Sequence, residues 1–559
     1  MSHRRLEIGD MDEVRTQQET EAVAFPELSA EQIDKLEEYA TIRHYADGER
    51  LITAGETDFK FFIVKTGAVA VVEESSGQQR TVAVHQEREF TGDIDMLTRR
   101  PALATVVARG DTVVYEITAE DLRRILNEQP QLGDQLLQAF LARRRLLEAS
   151  GVAGVLVLGS RHSRDTLRVR DFLSKNQVPF TWIDVEKNRR VQKLFRQLDI
   201  GEEDTPLVNV RGKAVFKNPS NRELGECLNM TQAVEETVYD LIIVGAGPAG
   251  LAAAVYGASE GLKTVVIEEN VPGGQASKSS KIENYMGFPT GLSGSDLANR
   301  AVLQAQKFGA AITTPVKAVD MSFRSGYNIV HLSDGQTAVA RCVLIASGAA
   351  YRALQVENCE RFEGLGVYYG ATVVEAQLCQ EEPVIVTGAG NSAGQAAVFL
   401  AEHASRVLLV FRGEDLREEM SSYLATRIEQ TENIELLRHS EIVNVEGDEE
   451  VQAAIVRNNE TGEERQVETA AVFIFIGAEP HTDWLPSEIE RDENGFIRTG
   501  PDLIHSPQWP LARPPYFLET SRPGVFAAGD VRAGSIKRVA SAVGEGSMTI
   551  HFVHQYLSG

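Results

Sequence analysis

The sequence predicts a multidomain chain: an antiparallel β-barrel of jelly-roll type followed by a long helix, then a small α/β domain, then two open α/β units with parallel sheets. Three observations predict it. Residues 1–150 carry short apolar runs punctuated by glycines, and residues 151–230 alternate strand-like and helix-like patterns. Beyond residue 237, an apolar strand runs straight into a Gly-x-Gly turn and an Ala-rich helix, and does so twice. A chain of 559 residues is roughly three to four times the usual domain length, so several cores are expected.

Hydrophobic residues at 43% and charged residues at 25% are globular averages. No run of about 18 apolar residues occurs, so a soluble chain without a membrane partner is expected. Met1–Thr20 is polar and mixed in charge, unlike a secretory signal and too acidic for a transit peptide; a cytoplasmic address is the expectation. The net charge of -25, without any basic stripe, argues against nucleic acid as a partner. The four cysteines, Cys227, Cys342, Cys359 and Cys379, form no C-x-x-C pair, so neither a disulfide framework nor a redox dithiol is readable.

Strands are expected at Phe61–Val64, Val69–Val72, Thr81–Val84 and Val113–Glu116, with turns at Gly55, Gly67, Gly77, Gly92 and Gly110. Leu132, Leu136, Leu137, Phe140, Leu141, Leu146 and Leu147 then give a helix ending at Ser150-Gly151. Its apolar face either docks on its own barrel or forms a dimer seam. The small α/β domain has strands at Val155–Leu158 and Phe180–Ile183, a helix ending near Asn176 and a segment Thr205–Val208; the polar stretch Asn229–Glu236 is the expected linker.

The strongest motif is Asp240–Val244 followed by Gly245-Ala-Gly247-Pro248-Ala249-Gly250. Gly245 permits the tight turn, Gly247 lets the backbone approach a pyrophosphate, and Gly250 lets helix and strand pack closely. The phosphates then face the helix N-terminus, where free N–H groups favour anions. Glu268 ends the next strand and can accept hydrogen bonds from a ribose. The second copy, Gly388-Ala-Gly390-Asn391-Ser392-Ala393, has Arg412 where the first has an acid. A cation there favours an adenosine 2′-phosphate, so NADPH is expected over NADH, and Arg417 can assist; for both arginines a solvated surface charge is the alternative. Two Rossmann-like, dinucleotide-binding units in one chain imply a flavin and a nicotinamide.

From Tyr239 to Gly559 the chain resembles the thioredoxin reductase family, on Gly273-Gly274-Gln275, Ile282-Glu283-Asn284-Tyr285, Ala346-Ser347-Gly348, Ile476-Gly477 and Gly524–Val531. The resemblance implies a flavin domain in two parts, 237–352 and 480–559, with the nicotinamide domain, 353–479, inserted. It implies FAD at Gly245, Gly247, Pro248, Ala249, Gly250, Glu268, Gly274, Gln275, Asn284, Gly529, Asp530, Arg538, Val539 and Ala540. NADPH is implied at Gly388, Gly390, Asn391, Ser392, Ala393, Arg412 and Arg417. The family's redox Cys-x-x-Cys falls on Gly370 and Val373, which carry no sulfur, and a second basic position falls on Gly413.

The middle segment, 151–230, resembles a thioredoxin or glutaredoxin fold, with Pro206 at the cis-proline place or else an ordinary loop proline; the dithiol position, Ser160–Ser163, again lacks sulfur. Residues 1–150 resemble the cyclic nucleotide-binding domain of the catabolite activator family around Phe90–Val106. Asp93 stands for the ribose-binding acid, but the phosphate-binding Arg position is Ala102, leaving Arg99 or Arg100 as substitutes. The expected function is an FAD-dependent NAD(P)H oxidoreductase, homodimeric, passing electrons directly to an unidentified acceptor under control of a sensor barrel with a small-molecule ligand. A disulfide reductase using Cys359 and Cys379, and a slow redox-sensing flavoprotein, remain the alternatives. No catalytic side chain is assigned, and no metal is expected.

Overall fold

The computed structural model describes residues 23–559, except 58, 76–77, 93–94, 99, 150–154, 177, 198–199, 211–213, 229, 231–233, 280, 372 and 449. The described residues form six sheets, the third of which is completed by a strand from the far C-terminal part of the chain.

The N-terminal sheet is antiparallel and five-stranded, built from Thr41–Tyr45, Arg50–Ile52, Phe61–Ser75, Gln78–His85 and Thr105–Ile117. The strands expected separately at Phe61–Val64 and Val69–Val72 are one strand, Phe61–Ser75. Gly67 does not break it: at φ +88° it carries an irregularity in the pairing with Thr105–Ile117, and the ladder resumes beyond it. The helix Pro130–Ala149 lays Leu132, Leu136 and Phe140 into this sheet's core beside Phe61 and Phe90. Those three residues are therefore docked on their own domain, the first of the two alternatives, while Leu137, Leu141 and Leu146 are only half-buried. The expected stop at Ser150-Gly151 lies outside the described residues.

The middle region has the strand order Phe180–Asp184, Val155–Gly159, Leu207–Val210, Ala214–Lys217, the first pair parallel and the others antiparallel. Ser163 starts the helix Arg164–Lys175 by accepting a bond from the Thr166 amide. The Thr205–Pro206 peptide is cis.

The third sheet runs Ala311–Thr313, Thr264–Ile267, Val238–Val244, Thr337–Ile345, with Val525–Ala527 parallel on the far side of Thr337–Ile345. Its strands are near-continuous apolar runs because both faces are covered, one by the helices Pro248–Ser259, Gly294–Lys307 and Val539–Ser558 and the other by the strands Ala318–Arg324 and Tyr327–Leu332 with Leu485, Ile489 and Ile497. The chain leaves through Ala349–Tyr351 and returns through Ala478–Pro480, which pair antiparallel. Between them lies a parallel sheet, Val367–Tyr368, Ala471–Ile474, Pro383–Thr387, Arg406–Val410, Ile434–Leu437, followed by an antiparallel three-stranded sheet, Ser440–Gly447, Val451–Asn458, Glu464–Glu468. Among the described residues, no helix is long and apolar enough to cross a membrane.

Candidate functional site

The two glycine turns have the same backbone logic. Gly245 has φ +103°, and a side chain there would put its Cβ 2.3 Å from the Ala346 carbonyl oxygen. Gly388 has φ +136°, and its Cβ would come 2.5 Å from the Phe475 carbonyl oxygen. Only glycine fits either place. Gly250 packs so closely that a Cβ would lie 1.9 Å from the Gly245 carbonyl oxygen, whereas Gly247 and Gly390 face space with no atom within 4 Å of where a Cβ would be. These two open positions are where a backbone can approach a pyrophosphate.

A cavity of about 560 Å³ begins at the first turn, bordered by Gly245, Gly247, Pro248 and Ala249, and has Glu268 on its wall. Glu268 accepts hydrogen bonds from the Ala246 amide at 2.8 Å and the Asn270 amide at 2.9 Å. Burial pushes its carboxyl above the usual range, opposed by those amides. Gly274, Gln275 and Asn284 continue the wall, and the buried Gln275 Oε1 has no hydrogen-bond partner. Gly529 and Asp530 close the far side, with Arg538 capping the helix Val539–Ser558 and Val539 and Ala540 bordering the cavity from its first turn. The helix N-terminus thus turns free N–H groups to the cavity. Burial raises the Asp530 carboxyl, while the Lys537 ammonium, lowered by burial, donates to the Asp530 carbonyl oxygen at 3.2 Å.

An FAD fits this construction. Gly247 leaves room for the pyrophosphate, Glu268 can accept from ribose hydroxyls, and the orphaned Gln275 Oε1 needs a donor such as a flavin ring N–H. Gly250 is apart from the wall; it sets the helix-to-strand packing.

The second turn contributes to the same cavity, because Asn391, Ser392 and Gln395, at the start of the helix Asn391–Ala401, border it. Asn391 Oδ1 already accepts from the Ser421 amide and hydroxyl, both at 2.9 Å, while Ala393 is buried in packing. The Arg412 side chain is 77% exposed and paired with Glu441 at 3.0 Å. Arg417 is committed more deeply, to Glu429 at 2.8 and 2.7 Å and to Asp415 at 3.3 Å. Either arginine meets a 2′-phosphate only in competition with these carboxylates.

Lys175 and Lys278 also border the cavity, and sequence reasoning missed both. Lys175 comes from the middle region, which no local motif places beside a flavin turn. Arg164 pairs with Glu363 at 3.3 Å and His162 with Glu450 at 3.0 Å, tying that region to the second nucleotide unit. Ser160 bonds to Glu186.

Cys359 and Cys379 are 1% and 3% exposed, and burial pushes their thiols up to about 11 and about 12. Cys359 packs with Ile385 and Cys379 with Val384 and Val386, on opposite faces of one sheet. They cannot join into one dithiol without unfolding it.

In the N-terminal region Ala102 is buried. Asp93 and Arg99 lie outside the described residues. Arg100 does not turn into the barrel alone: its Nη1 donates to the Asn176 carbonyl oxygen at 2.6 Å, in the middle region. The long helix brings its own charges to this sheet, Arg144 bonding to Asp95 and Arg143 donating to the Gly92 carbonyl oxygen at 2.8 Å.

Comparison with known proteins agrees with this geometry. The family model for pyridine nucleotide-disulphide oxidoreductase matches residues 239–546, and that for the cyclic nucleotide-binding domain matches residues 42–129. Thioredoxin reductase of Treponema pallidum is 34% identical over 58% of this chain and 98% of its own length. A 34.2 kDa protein in the rubredoxin operon of Clostridium pasteurianum is 31% identical over 58% of this chain and 99% of its own. The crystal structure of T. acidophilum thioredoxin reductase superposes with a TM-score of 0.52 at 29% identity, covering 58% of this chain and 100% of that one. The chain therefore belongs to the pyridine nucleotide-disulphide oxidoreductase family, as an FAD-dependent oxidoreductase similar to thioredoxin reductases.

Proposed function

We propose that this chain moves electrons from NADPH, with NADH as the weaker donor, through FAD directly to an acceptor, with no dithiol between. The observation that carries this reading is the pair Gly370 and Val373 where the family's sulfurs would stand, in a chain whose Cys342, Cys359 and Cys379 are buried and whose fourth cysteine, Cys227, is half-buried in the middle region. FAD supplies the two-electron chemistry when bound. The chain's own part is to hold the pyrophosphate over Gly245 and Gly247, the ribose on Glu268, and the ring system along Gly274, Gln275, Asn284, Gly529, Asp530 and the Arg538–Ala540 helix start. Gly388, Gly390, Ser392 and Arg412 hold the nicotinamide nucleotide, and the shared cavity brings the donor to the flavin.

The chain divides, in this reading, into units 1–150, 151–230, 237–352 with 480–559, and 353–479. The middle unit is a redox-dead thioredoxin-like adaptor, supported by its strand order and by cis-Pro206. The N-terminal unit senses a small molecule and controls the reductase; the Arg100–Asn176 contact supports the link, and Ala102 argues against tight cyclic AMP binding. The assembly is a cytoplasmic homodimer. Turnover with NADPH and NADH against quinone, free flavin, ferredoxin and thioredoxin disulfide under anaerobic conditions, and against oxygen in aerated buffer, tests the reading. Turnover with a non-thiol acceptor is expected; turnover confined to thioredoxin and lost in a Cys359→Ser, Cys379→Ser double variant would overturn it.

A further inference from the structure

Lys278 is the last residue of the 3-10 helix Gly274–Lys278 and borders the cavity. The backbone of Ser279 pairs with that of Ala371, so the segment that would carry the dithiol lies directly against this lysine. A side chain at Gly370 would put its Cβ 3.2 Å from both Cβ and Cδ of Lys278. The lysine stem thus fills the space a first cysteine would need. Lys278 itself borders the cavity proposed to hold the FAD.

Among the described residues the Lys278 ammonium has no hydrogen-bond acceptor. The charged groups acting on it are Lys175 and Asp171, from the middle region, and Glu375, just beyond the vacated motif. Lys175 and Asp171 are paired to each other at 2.6 Å, so their charges largely cancel. Burial foremost, then Lys175, lowers the pKa of Lys278. A cation in such a place is costly until a negative charge faces it. The ring system of a flavin acquires such a charge when it takes up an electron pair.

We propose that Lys278 stands in for the missing dithiol as the flavin's charge partner, a cation that makes two-electron reduction of FAD more favourable. The proposal rests on FAD occupying the cavity. Its test is the midpoint potential of the FAD-loaded protein, measured by dye-coupled reduction after FAD per chain has been read from absorbance. Lys278→Met keeps the stem's bulk without the charge, and it is expected to cut the two-electron equilibrium about tenfold, a negative shift of about 30 mV. Lys278→Gln, neutral but polar, should shift the potential in the same direction, so the test survives if the methionine variant loses its flavin. Lys278→Arg should stay within about threefold of the wild-type equilibrium. A full complement of FAD with an unchanged or more positive potential in both neutral variants overturns the lysine's role alone; absence of FAD from the wild-type chain overturns both this and the flavin assignment.

Discussion

The two nucleotide turns share a backbone but differ at their far ends. At the first, Glu268 is held by two backbone amides and faces a cavity, ready to accept from a ribose. At the second, Arg412 lies mostly in solvent with Glu441 as its partner, and Arg417 is gripped by Glu429. Glycine geometry leaves room for a phosphate in both places, but only at the first is the proposed selective side chain already organised. The second must break existing ion pairs to read a 2′-phosphate.

The comparison is broken most severely at Gly247. A Cβ there meets no protein atom within 4 Å, so Gly247→Val should fold. It should nonetheless lose FAD altogether, because the branched side chain occupies the pyrophosphate's approach. Circular dichroism matching wild type with a colourless protein is the expected result; a yellow protein would contradict the site.

A smaller effect is expected at Glu268. Glu268→Gln keeps the shape but replaces charge-assisted hydrogen bonds to the ribose, worth about 1.5–3 kcal/mol. FAD affinity, measured by fluorescence on reconstitution, should fall about 10- to 100-fold. An effect below about threefold would show that the ribose does not reach it.

At the second turn the effect should be weaker still. Arg412→Ala should raise the apparent KM for NADPH by up to about fivefold and leave NADH unchanged, since an exposed ion pair contributes only about 0–1 kcal/mol and Glu441 competes for the arginine. Equal effects on both donors would remove Arg412 from the phosphate site. In the opposite direction, Glu429→Gln frees Arg417 and should improve NADPH by about two- to threefold; no gain would mean that Arg417 faces away from the nucleotide.

What could be read from the sequence was local. The turns at Gly245 and Gly388, the acid at Glu268 and the helix Pro130–Ala149 follow from short-range rules on φ > 0, strand ends and periodicity. What could not be read depended on distant partners. Phe61–Ser75 reads as two strands because Gly67 looks like a break, and only pairing with Thr105–Ile117 carries the strand through it. Arg417 looks like a phosphate ligand until Glu429, 12 residues on, packs beside it. Lys278 and Lys175 enter the flavin cavity through the packing of two separate regions, and no motif in either announces it.

The central claim is that electrons pass through FAD with no dithiol beside it. Anaerobic titration of the FAD-loaded protein with dithionite, followed at the flavin absorption band, tests it most directly. A chain without a redox-active dithiol should be fully reduced by about one two-electron equivalent per FAD. Uptake of about two equivalents per FAD, with a corresponding pair of new thiols titrated in the reduced protein, would reveal a second two-electron centre and contradict the account.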